Sequence, residues 1–173
     1  MFYFLRHGES DDINRNKKIY QGFGVNLLPL SKAGVEQVKA ACKDKRLQGA
    51  DIILSSPYTR AVQTAAILSK ELGADIVIET DLHEWLANKN FIYEDEKTAF
   101  AYHKAYYENN GKYPDCKDEP WETAEMIKNR VLKVLKKYSH YKKVIVAAHG
   151  MMIETVTGHC HPHHGEIVEF ERF

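Results

Sequence analysis

The segment FYFLRHGES, residues 2–10, joins an apolar, aromatic run to a short series of reactive side chains. The apolar half predicts a β-strand, because aromatic and aliphatic residues favour strands and no turn residue interrupts them. The strand then ends on Arg6, His7, Gly8 and Glu9. A cation, an imidazole, a glycine and a carboxylate in succession indicate a functional loop at this strand end.

Strands and helices alternate along the rest of the chain. Short apolar runs predict further strands at residues 51–56, 74–80, 143–150 and 165–173. Apolar residues at helical spacing predict helices at residues 31–48, 57–72, 122–138 and 151–158. This alternation is typical of a mainly parallel sheet with helices on both faces. We therefore expect a three-layer α/β/α fold.

Residues 85–121 differ in composition from the rest of the chain. They are rich in aromatic side chains from Trp85 onward, carry mixed charges, and include the turn signals NNGKYPD. We interpret them as an insertion within one domain that spans residues 1–173, with one short helix near residues 95–109. We expect this insertion to lie as a lid over the carboxyl edge of the sheet.

The composition excludes several classes of protein. The 173 residues suit one domain, and the 24 Lys and Arg residues balance the 24 Asp and Glu residues, which gives no indication of nucleic-acid binding. No apolar run approaches membrane-spanning length, so no membrane partner is expected. The three cysteines, Cys42, Cys116 and Cys160, are far apart and odd in number, which favours reduced thiols in the cytoplasm.

Four of the predicted strands each lead into reactive or charged residues. In chain order these are Arg6 and His7, Ser56 and Arg60, Glu84, and His149 followed by Gly150. Ligands of parallel sheets bind beyond the carboxyl ends of the strands, so we expect these side chains to meet at one edge.

Two arginines, two histidines and one carboxylate suit a dianionic phosphate. Guanidinium groups match phosphate oxygens with paired, charge-assisted hydrogen bonds. A neutral imidazole can accept a phosphoryl group covalently, and a protonated Glu can give its proton to the leaving alkoxide. The arginines supply the positive charge, so this chemistry requires no metal and no other cofactor.

The sequence also resembles a known family. The motifs FLRHGES, SSPYTRAVQTA, LHE (residues 82–84) and VAAHG are similar, in order and spacing, to those of the histidine phosphatase superfamily, in its phosphoglycerate-mutase-like branch. The resemblance covers essentially the whole chain. It implies His7 as the phosphorylated nucleophile and Glu84 as the proton donor. It also implies a phosphate and substrate pocket that contains Arg6, Asn14, Arg60, His149 and Gly150.

Three functions fit these residues. The leading hypothesis is a phosphatase that hydrolyses a small phosphorylated metabolite through a phosphohistidine. A phosphomutase of the same family, which would return the phosphoryl group to another hydroxyl, is the first alternative, and a non-catalytic phosphate-binding module is the second. The sequence specifies neither the substrate nor the oligomeric state.

The stretch HCHPHH, residues 159–164, contains side chains that bind zinc or copper in other proteins. Its tight spacing and Pro162 favour a loop between the last predicted helix and strand over a metal centre. We therefore assign no metal site from the sequence, and one of the four histidines could still face the phosphate pocket.

Overall fold

The computed structural model describes residues 1–114 and 117–171. Five strands form one sheet in the order β3-β2-β4-β1-β5. Their bounds are Phe2–Arg6 (β1), Ile52–Ser55 (β2), Ile76–Ile78 (β3), Val144–Ala148 (β4) and Ile167–Phe170 (β5). β1, β2, β3 and β4 run parallel to one another. β5, at the edge of the sheet, pairs with β1 in the antiparallel direction. The predicted α/β fold with a mainly parallel sheet is confirmed.

Helices cover both faces of this sheet. Their bounds are Lys32–Ala41 (α1), Thr59–Leu72 (α2), Glu96–Glu108 (α3), Ala124–Lys137 (α4) and Gly150–Thr157 (α5). Successive strand residues point to opposite faces. Phe4 accordingly belongs to the core with α4 and α5, whereas Leu5 belongs to the core with α1 and α2.

Local chemistry explains where two of the predicted helices begin and end. The hydroxyl of Ser31 accepts a hydrogen bond from the N–H of Gly34, so α1 starts at its predicted cap. Gly73 ends α2 with a left-handed backbone, φ 72°. The prediction that the first helix continues to residue 48 is wrong. After Ala41 the carboxylate of Asp44 accepts from the N–H of Arg46, and this local turn replaces the helix.

Several other predicted bounds also differ from the structure. Pro57 lies outside α2, because the helix begins after the N-cap Tyr58. β3 and β5 are shorter than predicted, and residues 172 and 173 of the last predicted strand lie outside the described residues. Met126 has the helical spacing of the buried apolar residues of α4, Ile127, Val131, Val134 and Leu135, but its side chain is 39% exposed. The helices and strands themselves occur in the predicted order.

The segment between β3 and α4 contains α3, close to the predicted helix. Residues 115 and 116, including Cys116, lie outside the described part of this segment. Glu96 at the start of α3 forms an ion pair at 3.0 Å with Arg15 of the loop after β1. Near the other end of the helix, the hydroxyls of Tyr106 and Tyr107 contact Thr155 and Glu154 of α5.

Among the described residues, no helix is long and apolar enough to cross a membrane.

Candidate active site

The pairing of β1 with β4 brings two histidines to adjacent positions. The strands run parallel, with Arg6 opposite Ala148. The N–H of His7 then donates to the carbonyl of Ala148 at 2.9 Å, which extends the ladder by one residue. His7 and His149 therefore leave the sheet side by side, with their ring centroids 5.1 Å apart.

Gly8 allows the chain after His7 to pack directly against α1. A Cβ atom at Gly8 would lie 2.3 Å from the carbonyl oxygen of Gly34, and one at Gly34 would lie 2.2 Å from that of Glu9. Only glycines permit two backbones to approach so closely. The N–H of Gly8 also donates to the hydroxyl of Thr64 on α2, at 3.3 Å. Both helices of this face thus fix the loop that carries His7.

The two ring nitrogens of His7 have different partners. Nδ1 lies 2.7 Å from the carbonyl oxygen of Gly8, which can only accept, and Nε2 lies 3.1 Å from Nε of Arg60, which can only donate. His7 is therefore protonated on Nδ1 and has its lone pair on Nε2. Burial first, and then the Arg60 guanidinium, hold the pKa of His7 well below its usual value. The ring is a neutral base whose Nε2 lies beside a cation.

Arg60 lies in the first turn of α2, near the end of β2. Its guanidinium carbon lies 5.1 Å from the centre of the Tyr58 ring, which gives it a cation–π contact. Burial lowers the pKa of Arg60, and the Glu84 carboxylate opposes this effect. The local sequence Tyr58-Thr59-Arg60 thus fixes a cation within hydrogen-bond distance of the His7 ring.

Arg6, the last residue of β1, forms a second cation beside this ring. Its Nη1 donates to the carbonyl of Pro162 at 2.7 Å. Its Nε is buried and has no hydrogen-bond partner among the described residues. A Cβ atom at Gly150 would lie 3.4 Å from the guanidinium carbon of Arg6, which is an ordinary contact distance, so Gly150 borders the arginine.

His149 is completely buried at the N-cap of α5. Its Nε2 lies 2.7 Å from the hydroxyl of Ser56, and its Nδ1 has no hydrogen-bond partner among the described residues. Burial, followed by the charge of Arg60, holds the pKa of His149 well below its usual value. An unsatisfied buried polar atom costs about 1–3 kcal/mol, so the unpaired atoms of His149 and Arg6 mark a locally destabilised, polar site.

The Glu84 carboxylate lies at the N-terminus of α5. One oxygen accepts from the N–H groups of Trp85 at 2.8 Å and Met152 at 3.1 Å, and the other accepts from Met151 at 3.2 Å. Helix N-termini favour negative charge, which explains this position. The carboxylate is close enough to Arg6 to oppose the lowering of its pKa that burial causes.

The structure therefore brings together five of the predicted site residues, with Gly150 at their margin: Arg6, His7, Arg60, Glu84 and His149. Asn14 is not brought into this cluster by its described contacts. Its amide donates to the carboxylate of Asp11 at 2.6 Å, within a short 3-10 turn of the same loop.

Two further residues lie in the cluster. Ser56 is expected at a strand end from the sequence, but only the fold shows that its hydroxyl meets His149. The ring of His164 lies 5.5 Å from that of His7, and burial followed by Arg6 lowers the pKa of His164. His164 is thus a histidine of the run at residues 159–164 that faces the cluster, as the sequence analysis allowed without choosing among the four.

A buried ion pair fixes the turn that carries Glu84. Arg130 of α4 pairs with Glu122 at 2.6 Å and donates to the carbonyls of Asp81 and Glu84 at 2.6 Å and 3.4 Å. The Glu122 carboxylate also accepts from the N–H of Leu86 at 3.3 Å. This network was not found from the sequence, because Arg130 is one of many charged residues on an amphipathic helix.

The stretch at residues 159–164 forms the loop between α5 and β5, as predicted. His159 contacts the Glu166 carboxylate at 2.7 Å, and His161 contacts the Glu154 carboxylate at 2.5 Å. The loop therefore has an outer part paired with carboxylates and an inner part, Pro162 and His164, in contact with the active-site cluster.

Comparison with known proteins identifies the family of the chain. The model of the histidine phosphatase superfamily (branch 1) matches residues 2–172. The chain is 30% identical over 161 residues to "Putative phosphoserine phosphatase 2" of Hydrogenobacter thermophilus, covering 89% of this chain and 75% of that protein.

Solved structures show the same fold at low identity. A mycobacterial glucosyl-3-phosphoglycerate phosphatase superposes with a TM-score of 0.66 at 20% identity, over 91% of this chain and 77% of its own. YhfR of Bacillus stearothermophilus superposes with a TM-score of 0.68 at 17% identity, over 96% and 88% of the two chains. The resemblance noted from the four sequence motifs is thus confirmed, and the chain belongs to branch 1 of the histidine phosphatase superfamily, with relatives that include proteins named as phosphatases.

Proposed function

We propose that this protein is a metal-independent phosphatase that hydrolyses a small phosphate monoester through a phosphohistidine on His7. The state of the His7 ring is the observation that carries this proposal. The carbonyl of Gly8 fixes the proton on Nδ1, and Nε2 has its lone pair beside the Arg60 guanidinium. A neutral imidazole held next to a phosphate-binding cation is the arrangement that nucleophilic attack on phosphorus requires.

The phosphate group binds among the cations and unpaired donors of the cluster. Nε of Arg6 donates to one phosphate oxygen, and His149 donates from Nδ1 to another while its Nε2 accepts from Ser56. Arg60 transfers its hydrogen bond from His7 to the phosphate, which frees the lone pair of Nε2 for attack. Because positioning and charge dominate phosphoryl transfer, these three side chains supply most of the catalysis.

Glu84 acts as the general acid in the first step and as the general base in the second. In the first step the Nε2–P bond forms and the P–O bond to the leaving group breaks, while the protonated Glu84 carboxyl gives its proton to the leaving oxygen. In the second step water attacks phosphorus and returns a proton to Glu84, and the Nε2–P bond breaks to release inorganic phosphate. One carboxylate oxygen must leave the N-terminus of α5 to reach the leaving group.

The leaving group lies under the segment of residues 85–121, which we propose as a lid. A cavity of about 800 Å³ separates the loop after β1 from the start of α3. Its lining includes one cation, two carboxylates and an aromatic ring: Arg15, Glu94, Glu96 and Tyr93. This lining suits the polar, uncharged part of a small metabolite whose phosphate binds in the cluster. We also propose a cytoplasmic location, which the free thiols of Cys42 and Cys160 support.

Trapping of the phosphoenzyme tests the proposal. Acid-labile, alkali-stable label should appear on the wild type when a reaction with phosphate-labelled p-nitrophenyl phosphate is quenched rapidly. The His7→Gln variant should carry no label and should lack activity. The His164→Gln variant is the matched control, since its ring lies 5.5 Å from that of His7, and it should still be labelled.

Two outcomes would count against the proposal. Label on the His7→Gln variant would place the covalent step elsewhere, and hydrolysis without label in any quenched sample would favour direct attack by water. A product assay with 3-phosphoglycerate separates the mutase alternative, because isomerisation leaves no free phosphate.

A further inference from the structure

We propose that Glu154, Cys160 and His161 bind one zinc ion at a second site, beside α5 and separate from the phosphate cluster. One ligand atom from each of these three residues lies within 4.8 Å of the others. Nδ1 of His161 is 2.5 Å from Oε2 of Glu154 and 4.0 Å from the sulfur of Cys160. The three atoms thus face a common point at the protein surface.

The set of donor atoms favours zinc among the common metals. A thiolate, an imidazole and a carboxylate are the three ligand types that Zn²⁺ takes in proteins. With Zn–S near about 2.3 Å and Zn–N and Zn–O near about 2.0 Å, a tetrahedral site needs ligand atoms about 3.3–3.6 Å apart. The Glu154–His161 separation of 2.5 Å would then have to grow by about 0.8 Å, and the Cys160–His161 separation of 4.0 Å would have to shrink by about 0.5 Å. The fourth position is then open to water.

Independent features hold two of the three ligands, Glu154 and His161, in place. Glu154 is on α5, a regular element, and its carboxylate accepts from the hydroxyl of Tyr107 at 3.2 Å. His161 has a left-handed backbone, φ 44°, although it is not a glycine. Such strain persists where the surroundings hold it, and it is concentrated at functional sites. The His161 ring also packs against that of Tyr107, with 5.6 Å between centroids.

The metal would join two elements near the active site and would lie beside a third. Cys160 and His161 belong to the loop in which the carbonyl of Pro162 accepts from Arg6. Glu154 belongs to α5, and Tyr107 belongs to α3 of the proposed lid. Zinc at this position therefore ties the loop to α5 next to the helix of the lid, and it should raise the melting temperature without entering the reaction.

Spectroscopy with cobalt(II) in place of zinc tests the site in the full, untagged chain kept in a thiol-free reductant. One equivalent should bind, with the near-ultraviolet charge-transfer absorption that a cobalt–thiolate bond produces. The Cys160→Ser variant should lose this absorption. Its zinc affinity should fall by more than about tenfold, since even the loss of an outer-shell partner reduces metal affinity 10–100-fold.

The same loop offers a matched control. His159 is adjacent to Cys160 but is paired with Glu166 at 2.7 Å. The His159→Gln variant should therefore retain the absorption and the affinity. The proposal is overturned if cobalt binds without a thiolate band, if Cys160→Ser binds as tightly as the wild type, or if no binding occurs. Circular dichroism of the metal-free variants shows whether each still folds.

Discussion

The buried histidines His7 and His149 should make the folded protein sensitive to acid. Both have a folded-state pKa well below the usual value, mainly because they are buried. In the unfolded chain their pKa returns to about 6.5. Above that pH neither state binds the proton, and the two histidines do not affect the pH dependence. Below that pH the histidines bind protons in the unfolded state but not in the folded state, so the free energy of unfolding falls as the pH falls.

The magnitude follows from the number of protons. Each proton of difference changes the free energy of unfolding by about 1.36 kcal/mol per pH unit. Between about pH 8 and about pH 5, each buried histidine therefore costs about 2 kcal/mol, and the pair costs about 4 kcal/mol. This is a large fraction of the roughly 5–15 kcal/mol that stabilises a typical domain. His83, whose pKa burial also lowers, adds to the fall in the same direction.

Urea unfolding at a series of pH values measures this effect. The variants His7→Gln and His149→Gln should each reduce the pH dependence by about 1.4 kcal/mol per unit below about pH 6, the linkage of one proton. His140 is exposed in the turn before β4, and the His140→Gln variant is the matched control for replacing a histidine outside the buried cluster. If both active-site variants keep the wild-type slope, the two rings are not held neutral, and the argument for a neutral nucleophile fails with them.

Three further predictions concern catalysis and the nucleophile loop. Glu84→Gln should slow the hydrolysis of an alkyl phosphate by roughly 10²–10⁴-fold. It should slow the hydrolysis of p-nitrophenyl phosphate much less, because the aryl leaving group needs no proton. Equal losses for both substrates in a steady-state assay would show that Glu84 is not the general acid. Activity should survive dialysis against EDTA, since arginines supply the charge. A loss that zinc restores equally in the wild type and in the Cys160→Ser variant would show that the reaction itself needs a metal. Gly8→Ala should destabilise the fold by about 3 kcal/mol or more, because the new Cβ would lie 2.3 Å from a backbone oxygen. Gly49→Ala, at an open left-handed position, should cost only about 1–2 kcal/mol in the same denaturation assay.

The sequence predicted the features that depend on short-range patterns. The strands were predicted from their apolar runs. The position of the site was predicted from the rule that residues at the carboxyl ends of parallel strands meet at one edge of the sheet. The first helix was predicted too long, because the spacing of apolar residues cannot show that Asp44 turns the chain by binding the N–H of Arg46. The contact of Ser56 with His149 joins positions 93 residues apart. It arises from the register of β2 with β4, because each residue directly follows one of these two strands.

The segment at residues 85–121 is closed at its base, which we call its neck, by contacts of Trp85 and Leu86 with Glu122. This neck has a consequence for protein engineering. Both ends of the segment meet at Glu122, whose N–H donates to the carbonyl of Leu86 at 3.0 Å and whose carbonyl accepts from the Trp85 indole at 2.8 Å. The ion pair with Arg130 anchors this neck to α4. Loop closure depends only weakly on length once the ends are fixed. A graft between Leu86 and Glu122 would nevertheless have to keep Tyr106 and Trp121, because both side chains are buried in the core that contains Phe4. With those two residues kept, the same neck would hold a segment of different length or composition in place.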